Sequence, residues 1–228
     1  NASEKLLHRR DEEPWIGVQL LGSEAELLAS AARIVDRCNH DIIDLNMGCP
    51  VRKVIKRQAG AALCHNVSLA ARCAETIVDN TSRPVTAKIR LVDRNDATAT
   101  IKLVRHLEEA GVQAVTVHAR TLEGYYAAVP APEVVWEVAE NTNMPIVCNG
   151  GIYDWGSAAW AQEKSGCSRL MVARGAIGNP WIFSELQDRD FLPPAHEEIC
   201  DEIYRHISDM VDCYGENRGI QSDTWIRV

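Results

Sequence analysis

Residues 85–118 read VTAKIRLVDRNDATATIKLVRHLEEAGVQAVTVH and contain one complete strand–helix–strand unit. The two ends of this stretch, 85–90 and 114–118, are rich in β-branched residues and predict strands. The segment from Ala97 to Ala110 has apolar residues at helical spacing, and Gly111 stops it. Two strands joined through a helix predict a parallel pair with a right-handed crossover.

The same alternation continues on both sides of this unit. Each predicted strand is nearly continuously apolar, which is typical of strands that are covered on both faces. The further predicted strands are 15–21, 42–46, 146–149 and 170–173, and the further predicted helices are 23–37 with Ser23 as N-cap, 68–78, 132–139, 155–164 and a short helix after Gly175.

Six consecutive βα units leave two architectures open, a doubly wound open sheet and a (β/α)8 barrel that lacks two units. The open sheet usually carries GxGxxG after its first strand, whereas the first strand here ends in Leu20-Leu21-Gly22-Ser23. The sequence therefore favours the α/β (β/α)8 TIM barrel, here lacking the first two βα units.

Composition and charge narrow the function classes. A chain of 228 residues that is 46% hydrophobic can bury one large core, which excludes wholesale disorder. A net charge of −8 restricts any nucleic-acid contact to a local basic patch. No run approaches the roughly 20 apolar residues of a membrane span. Asn1 is not a methionine, and we expect the chain to be an interior piece of a longer enzyme.

The eight cysteines show no CxxC spacing, which argues against a zinc ribbon, and we expect no metal site. Cys38, Cys73 and Cys148 lie in apolar segments, as buried thiols do. We therefore expect reduced thiols and a cytoplasmic protein.

The pattern changes after Pro193-Pro194, which reads as a linker. Residues 195–214 place apolar side chains at helical spacing and predict an amphipathic helix. We predict a barrel domain over 1–190 and the beginning of a helical domain over 191–228.

Polar or glycine-rich residues end all six predicted strands, where parallel α/β folds gather their reactive groups. These residues are Gln19, Asn46–Cys49, Lys88, Arg90, His118, Arg120, Asn149–Gly151 and Arg174-Gly175. One shared pocket explains them together.

The two glycine loops after the last strands predict a phosphate site beside Arg174, with two ordinary glycine turns as the alternative. Lys88 predicts either a core ion pair or contact with an electron-rich cofactor ring, and His118 either a core residue or a ligand.

Cys49 is the most specific candidate, since it lies on a strand-to-loop turn between Gly48 and Pro50. Four positive charges follow it at Arg52, Lys53, Lys56 and Arg57. Nearby positive charge activates a thiol and attracts a polyanion. A solvated face is the alternative interpretation of this charge run.

The motifs around these residues resemble those of the tRNA-dihydrouridine synthase family. The matching motifs are Asp44-Leu-Asn-Met-Gly-Cys-Pro50, Gly60-Ala-Ala-Leu63, Ala87-Lys-Ile-Arg90, Val117-His-Ala-Arg-Thr121, Ile146–Gly151, Met171–Ala176 and Tyr214–Gly219. The resemblance implies an FMN-containing barrel followed by a helical tRNA-binding domain, acting as a monomer on tRNA. It implies that hydride passes from FMN to C6 of uracil, that Cys49 protonates C5 as general acid, and that NADPH reduces the flavin again.

The resemblance also assigns binding roles. It implies that FMN is held by Gln19, Lys88 and His118 at the ring and by Asn149, Gly150, Gly151, Ala173 and Arg174 toward the phosphate. It implies that the substrate meets Asn46, Arg52, Lys53, Lys56, Arg90 and Arg120. Asp154-Trp155 and Val18–Gly22 resemble the subgroup that acts on D-loop uridine 16.

The chain differs from the family in two respects, and two other functions stay open. The first two family strands have no counterpart here, and the helical tail is short. An FMN oxidoreductase acting on a free pyrimidine, of the dihydroorotate dehydrogenase type, would share the fold. A non-catalytic RNA-binding barrel would keep the basic loop without the chemistry.

Overall fold

The computed structural model of the chain describes residues 7, 9, 13–124 and 128–214, and for 213 and 214 it describes the backbone alone. The Tyr214–Gly219 motif therefore lies outside the described residues, apart from the backbone of Tyr214. Six parallel strands form one curled sheet in chain order, which is half of a barrel. The strands are β1 (Gly17–Leu20), β2 (Ile42–Met47), β3 (Val85–Arg90), β4 (Ala114–His118), β5 (Ile146–Asn149) and β6 (Leu170–Met171). The prediction of a partial TIM barrel is confirmed.

Helices alternate with these strands as the sequence predicts. They are α1 (Ala25–Asp36), α2 (Arg52–Ile55), α3 (Val67–Val78), α4 (Thr98–Glu109), α5 (Pro132–Glu140), α6 (Trp155–Ser165), α7 (Ile182–Gln187) and α8 (His196–Tyr214), with 3₁₀ turns at Gly60–His65 and Arg174–Ala176. Helix α2 is not predicted from the sequence, because it is shorter than the window over which apolar periodicity can be read.

Two local predictions are wrong. Helix α1 begins at Ala25 after Glu24, and Ser23 does not cap it, because the Ser23 hydroxyl donates to the carbonyl of Arg57 (2.7 Å). Cys38 is half-buried, as Cys49 is, because it follows the end of α1, where its thiol donates to the Ile34 carbonyl at an exposed position. Cys73 and Cys148 are buried as expected.

The strands are apolar on one face and polar on the other, which differs from the predicted near-continuous apolar runs. The apolar face is packed in one core with helix side chains, and its members include Ile43, Leu45, Met47, Ala87, Ile89, Val115, Val117 and Cys148. The register places the polar side chains on the opposite face. This polar face comprises Gln19, Asp44, Asn46, Thr86, Lys88, Arg90, Thr116, His118 and Asn149. The core thus lies between the sheet and the helices, and the polar face carries the candidate functional residues.

The chain divides into two compact units. The first comprises 1–151 and 159–171 and holds the whole sheet, and the second comprises 152–158 and 172–228. The second unit contains α7 and α8, whose apolar stripe at Ile199, Ile203 and Ile207 is half-buried. The predicted domain boundary after residue 190 stays a prediction.

Candidate functional site

The turn that carries Cys49 is held through its backbone. The side-chain oxygen of Asn46 accepts from the backbone N–H groups of Gly48 and Cys49, at 3.0 Å each. The Cys49 carbonyl accepts from the Ala61 N–H at 3.0 Å. Because both sides of the turn are bonded, the half-buried thiol starts from a fixed backbone position.

Gly60 allows the 3₁₀ turn Gly60–His65 to approach Cys49 closely. It has a φ of 61°, and a Cβ on it would lie 2.6 Å from the Cys49 carbonyl oxygen. Gln58, two residues earlier, holds a φ of 60° without being a glycine. Such backbone strain is found where the surrounding structure fixes a functional segment.

Arg90 ties the Cys49 turn to the loop after β4. Its Nε donates to the Gly48 carbonyl at 2.7 Å and its guanidinium donates to the Thr121 carbonyl at 3.1 Å. The residue is 2% exposed. These contacts are internal ones, and the predicted role of Arg90 in substrate binding stays a prediction.

Asp44, for which the sequence suggests no role, lies on the polar face between Gln19 and Thr86. Asp44 accepts from the Gln19 amide and from the Thr86 hydroxyl, both at 2.7 Å. Burial raises the pKa of the Asp44 carboxyl, against the opposing effect of these two hydrogen bonds. Gln19 in turn accepts from the Asn46 amide at 2.6 Å. A carboxylate inside an otherwise apolar strand was the signal that could have identified it.

Lys88 donates to the Asn149 side-chain oxygen at 2.9 Å. Burial lowers the pKa of the Lys88 ammonium to about 8, helped by the Arg90 charge and opposed by Asp44. Among the described residues Lys88 forms no salt bridge, so the core ion pair is the weaker of the two predicted interpretations. An ammonium has three N–H donors, and one of them is used by Asn149.

Asn149 and His118 are both buried on the polar face. Asn149 also donates to the Met171 carbonyl at 2.7 Å and so links β3 to β6. The His118 Nε2 lies 3.1 Å from the Arg120 guanidinium. Because arginine can only donate, this contact makes Nε2 the acceptor and places the proton of a neutral ring on Nδ1. Arg120 also donates to the Ala128 carbonyl at 2.5 Å and is 7% exposed, so its predicted substrate role stays a prediction.

The glycine loop after β5 has left-handed backbone at Gly150 and Gly151, with φ of 128° and 76°. A Cβ on Gly150 would lie 3.0 Å from the His118 ring, and one on Gly151 would lie 2.9 Å from Pro130. Packing therefore requires glycine at both positions, which is what the alternative interpretation, two ordinary glycine turns without a ligand, also predicts. Their predicted role toward a phosphate stays a prediction.

The loop after β6 belongs to the second unit. Arg174 is exposed and its guanidinium stacks on the Tyr153 ring, 5.7 Å from the ring centre. Ala173 precedes it, and Gly175 packs so closely on Ile152 that a Cβ would meet that residue's carbonyl oxygen. Tyr153 was not predicted; an aromatic residue two positions after the paired glycines was its signal in the sequence.

The beginning of α6 carries its own anionic partners. The Asp154 carboxylate accepts from the Ser157 N–H and hydroxyl (2.7 Å each), and these bonds lower its pKa. The Ser157 hydroxyl also accepts from the backbone N–H groups of Tyr153 and Asp154, and Glu185 accepts from the Trp155 N–H. Two carboxylates at a helix N-terminus disfavour a bound anion there.

The four cations after Cys49 are all exposed on α2 and the turn that follows it. The described residues contain no three metal-ligating side chains close enough to hold a metal ion. No helix in the same set of residues is long and apolar enough to cross a membrane.

Comparison of the sequence with known proteins places the chain in a family. Residues 1–224 match the sequence profile described as "Dihydrouridine synthase (Dus)". The chain is 34% identical over 216 residues to a "Probable tRNA-dihydrouridine synthase" of Rickettsia conorii, covering 92% of this chain and 65% of that protein. It is 35% identical over 220 residues to "tRNA-dihydrouridine synthase B" of Proteus vulgaris, covering 94% of this chain and 68% of that protein. The chain thus spans about two thirds of the length of these relatives.

Proposed function

Because the chain belongs to the dihydrouridine synthase family, we propose that it is the core of a flavin-dependent enzyme that reduces a uridine of tRNA to 5,6-dihydrouridine. The observation that carries the proposal is the Cys49 turn, in which a half-buried thiol is fixed through Asn46, Arg90 and Ala61. Four exposed cations follow within eight residues of it. A positioned acid next to a polyanion-binding segment is what protonation of a nucleic-acid base requires.

In this proposal Cys49 is the general acid. Reduction of the 5,6 double bond adds a hydride to C6 and a proton to C5, so the ring needs an acid at a defined position. The thiol supplies that proton, and the backbone bonds around it hold its turn in one place. Since the base of a tRNA nucleotide must leave its stack to reach a thiol on a turn, the substrate nucleotide is flipped out.

The polar face fits FMN by its donor chemistry. Lys88 is a desolvated ammonium with one hydrogen bond to Asn149 among the described residues, so it can donate to an electron-rich ring. Gln19 and His118 lie on the same face of the sheet. We propose that these side chains hold the flavin ring and that Asn149, Gly150 and Gly151 bind toward its phosphate end. The role of Ala173 and Arg174 toward the phosphate stays a prediction. When bound, the flavin supplies the hydride, and NADPH restores it to the reduced state.

The exposed basic segment favours tRNA over a free pyrimidine as substrate. Arg52, Lys53, Lys56 and Arg57 point to solvent rather than into the polar face, where a small substrate would sit. A non-catalytic RNA-binding barrel would leave both Cys49 and Lys88 without a reason for their settings. The choice of D-loop uridine 16 gains no support here, since Asp154, one of the residues that suggested it, caps α6 by accepting from Ser157.

The test is dihydrouridine formation by the purified protein with flavin, NADPH and tRNA. We expect Cys49→Ala to lose at least about 100-fold in rate, which is the usual contribution of a general acid, and to keep its flavin. Cys38→Ala is the matched control, because Cys38 is equally half-buried and its thiol contacts the Ile34 carbonyl on α1. Full activity in Cys49→Ala would exclude the assigned role. Flavin-free protein that binds tRNA without reducing it would favour the non-catalytic barrel.

A further inference from the structure

A chain of three side chains on the polar face leads from Asp44 to the Cys49 turn. Asp44 accepts from the Gln19 amide N–H (2.7 Å), the Gln19 oxygen accepts from the Asn46 amide N–H (2.6 Å), and the Asn46 oxygen accepts from the N–H groups of Gly48 and Cys49. Every link is a side-chain hydrogen bond across adjacent strands or within one turn. Asp44 and Cys49 are thereby connected although they do not touch.

The direction of this chain is fixed at both of its ends. The N–H groups of Gly48 and Cys49 can only donate, so they hold the Asn46 oxygen toward the turn and leave its N–H group for Gln19. A carboxylate can only accept, and Thr86 donates its hydroxyl to the other oxygen of Asp44. Asp44 therefore requires the Gln19 N–H, and the Gln19 oxygen that remains accepts from Asn46, so both ends of the chain require the same orientation of Gln19.

We propose that Asp44 is a positioning residue that holds Gln19 in the orientation in which Gln19 accepts from Asn46, and that it thereby supports the bonds of Asn46 to the backbone of the Cys49 turn. The inference rests on the proposed function in that Cys49 is the group whose position matters. It adds a role for Asp44, and it makes Gln19 and Asn46 parts of the thiol's support as well as of the predicted flavin and substrate contacts.

The proposal predicts that donors and acceptors can be exchanged between positions 44 and 19. In Asp44→Leu the Gln19 N–H loses its acceptor. Asp44→Asn is the matched control, because its amide can accept from Gln19 and donate to the Thr86 hydroxyl, which also accepts. In Gln19→Glu, two carboxylates meet. The double variant Asp44→Asn/Gln19→Glu restores every bond, because the amide introduced at position 44 donates to the carboxylate introduced at position 19, and that carboxylate still accepts from Asn46.

The direct measurement is hydrogen exchange of the Gly48 and Cys49 amides in the purified protein, resolved to single residues. We expect exchange at both amides to become about tenfold faster in Asp44→Leu and in Gln19→Glu, and to stay within about threefold of the parent in Asp44→Asn and in the double variant. Thr86→Val removes the other partner of Asp44 and leaves the chain to Cys49 intact, so it should change exchange less than about threefold. Asp36→Asn, which disrupts carboxylate hydrogen bonds to Thr81 and Ser82, should leave these two amides unchanged.

Two outcomes would overturn the proposal: parental exchange in Asp44→Leu, or a double variant as unprotected as Gln19→Glu. If a single variant does not fold, the variants are compared by thermal unfolding instead. The proposal then requires the double variant to fold and to have a higher melting temperature than the single variant. The measurement needs neither tRNA nor flavin. Failure of the relay is therefore distinguishable from failure of the proposed function, which Cys49→Ala tests by activity.

Discussion

At the scale of single residues, the polar face combines the titratable Lys88 with side chains that hold neighbouring groups in position. Burial removes much of the hydration of the Lys88 ammonium and lowers its pKa to about 8. Cys64 and Cys148 are altered in the opposite sense, since burial raises the pKa of each thiol to about 11 and keeps it protonated at neutral pH. Neither of these two buried thiols therefore competes with Cys49 in reactivity.

Lys88 should make stability depend on pH in the alkaline range. Its pKa is about 8 in the folded protein and 10.5 as an ordinary lysine, so between these values the unfolded chain binds more protons and stability rises with pH. We expect the free energy of unfolding of the parent to rise relative to Lys88→Met between about pH 8 and 10.5, by at most about 1.4 kcal/mol per pH unit. Urea melts of both proteins across this range measure the difference, and parallel pH curves would contradict the lowered pKa.

Gly60 should be intolerant of a side chain for a reason beyond its backbone angle. Gly60→Ala adds a Cβ at 2.6 Å from the Cys49 carbonyl oxygen, and we expect a loss of about 3 kcal/mol or more in the free energy of unfolding. Gly178 is the matched control, with a φ of 75° and no atom within 4 Å of the added Cβ. Gly178→Ala should cost about 1 kcal/mol, from the left-handed backbone alone. Equal losses in the two variants would show that the contact with Cys49 is unimportant.

At the scale of elements, the site depends on where helices and strands begin and end. Helix α6 begins shortly after the glycine loop of β5, and Asp154 with Ser157 fixes that beginning. The Asp154 carboxylate also disfavours a phosphate at that helix end.

Removing the α6 cap should destabilise the protein moderately. Asp154→Ala loses two accepted hydrogen bonds at the first turn, and we expect a cost of about 1 kcal/mol in the free energy of unfolding. Because the Asp154 pKa is lowered, this contribution is present at neutral pH and disappears as the pH falls through the folded value, below 3.8. Glu163→Ala near the other end of α6 is the control and should change the melting temperature little. Melts at pH 7 and at pH 3 of both variants provide the test.

At the scale of the whole molecule, an acidic chain presents one basic segment beside its candidate thiol. The net charge of −8 opposes RNA binding in general, while the four cations after Cys49 favour it at one place. The local arrangement rather than the total charge should therefore control binding.

Charge reversal separates these two effects. Lys53→Glu/Lys56→Glu should weaken tRNA binding strongly and reduce the slope of log K against log salt by about 2, if both lysines meet phosphates. Lys102→Glu/Lys164→Glu produces the same change in net charge on α4 and α6, where both lysines are exposed, and should have a much smaller effect. Titrations with tRNA at several salt concentrations measure the slopes. Equal slopes in the two variants would contradict a local RNA-binding segment.

The order of the six strands and their helices can be read from the sequence, since that order depends on local apolar spacing and on glycine stops. Cys49 and Lys88 can also be identified there, because a polar residue in or beside an apolar strand is visible in one dimension. Which side chains face each other across strands depends on the folded sheet. The contacts of Gln19 with Asp44, of Arg90 with Gly48 and of Lys88 with Asn149 join residues 25 to 61 positions apart. Such pairs follow from strand register, which is a property of the assembled sheet rather than of any segment.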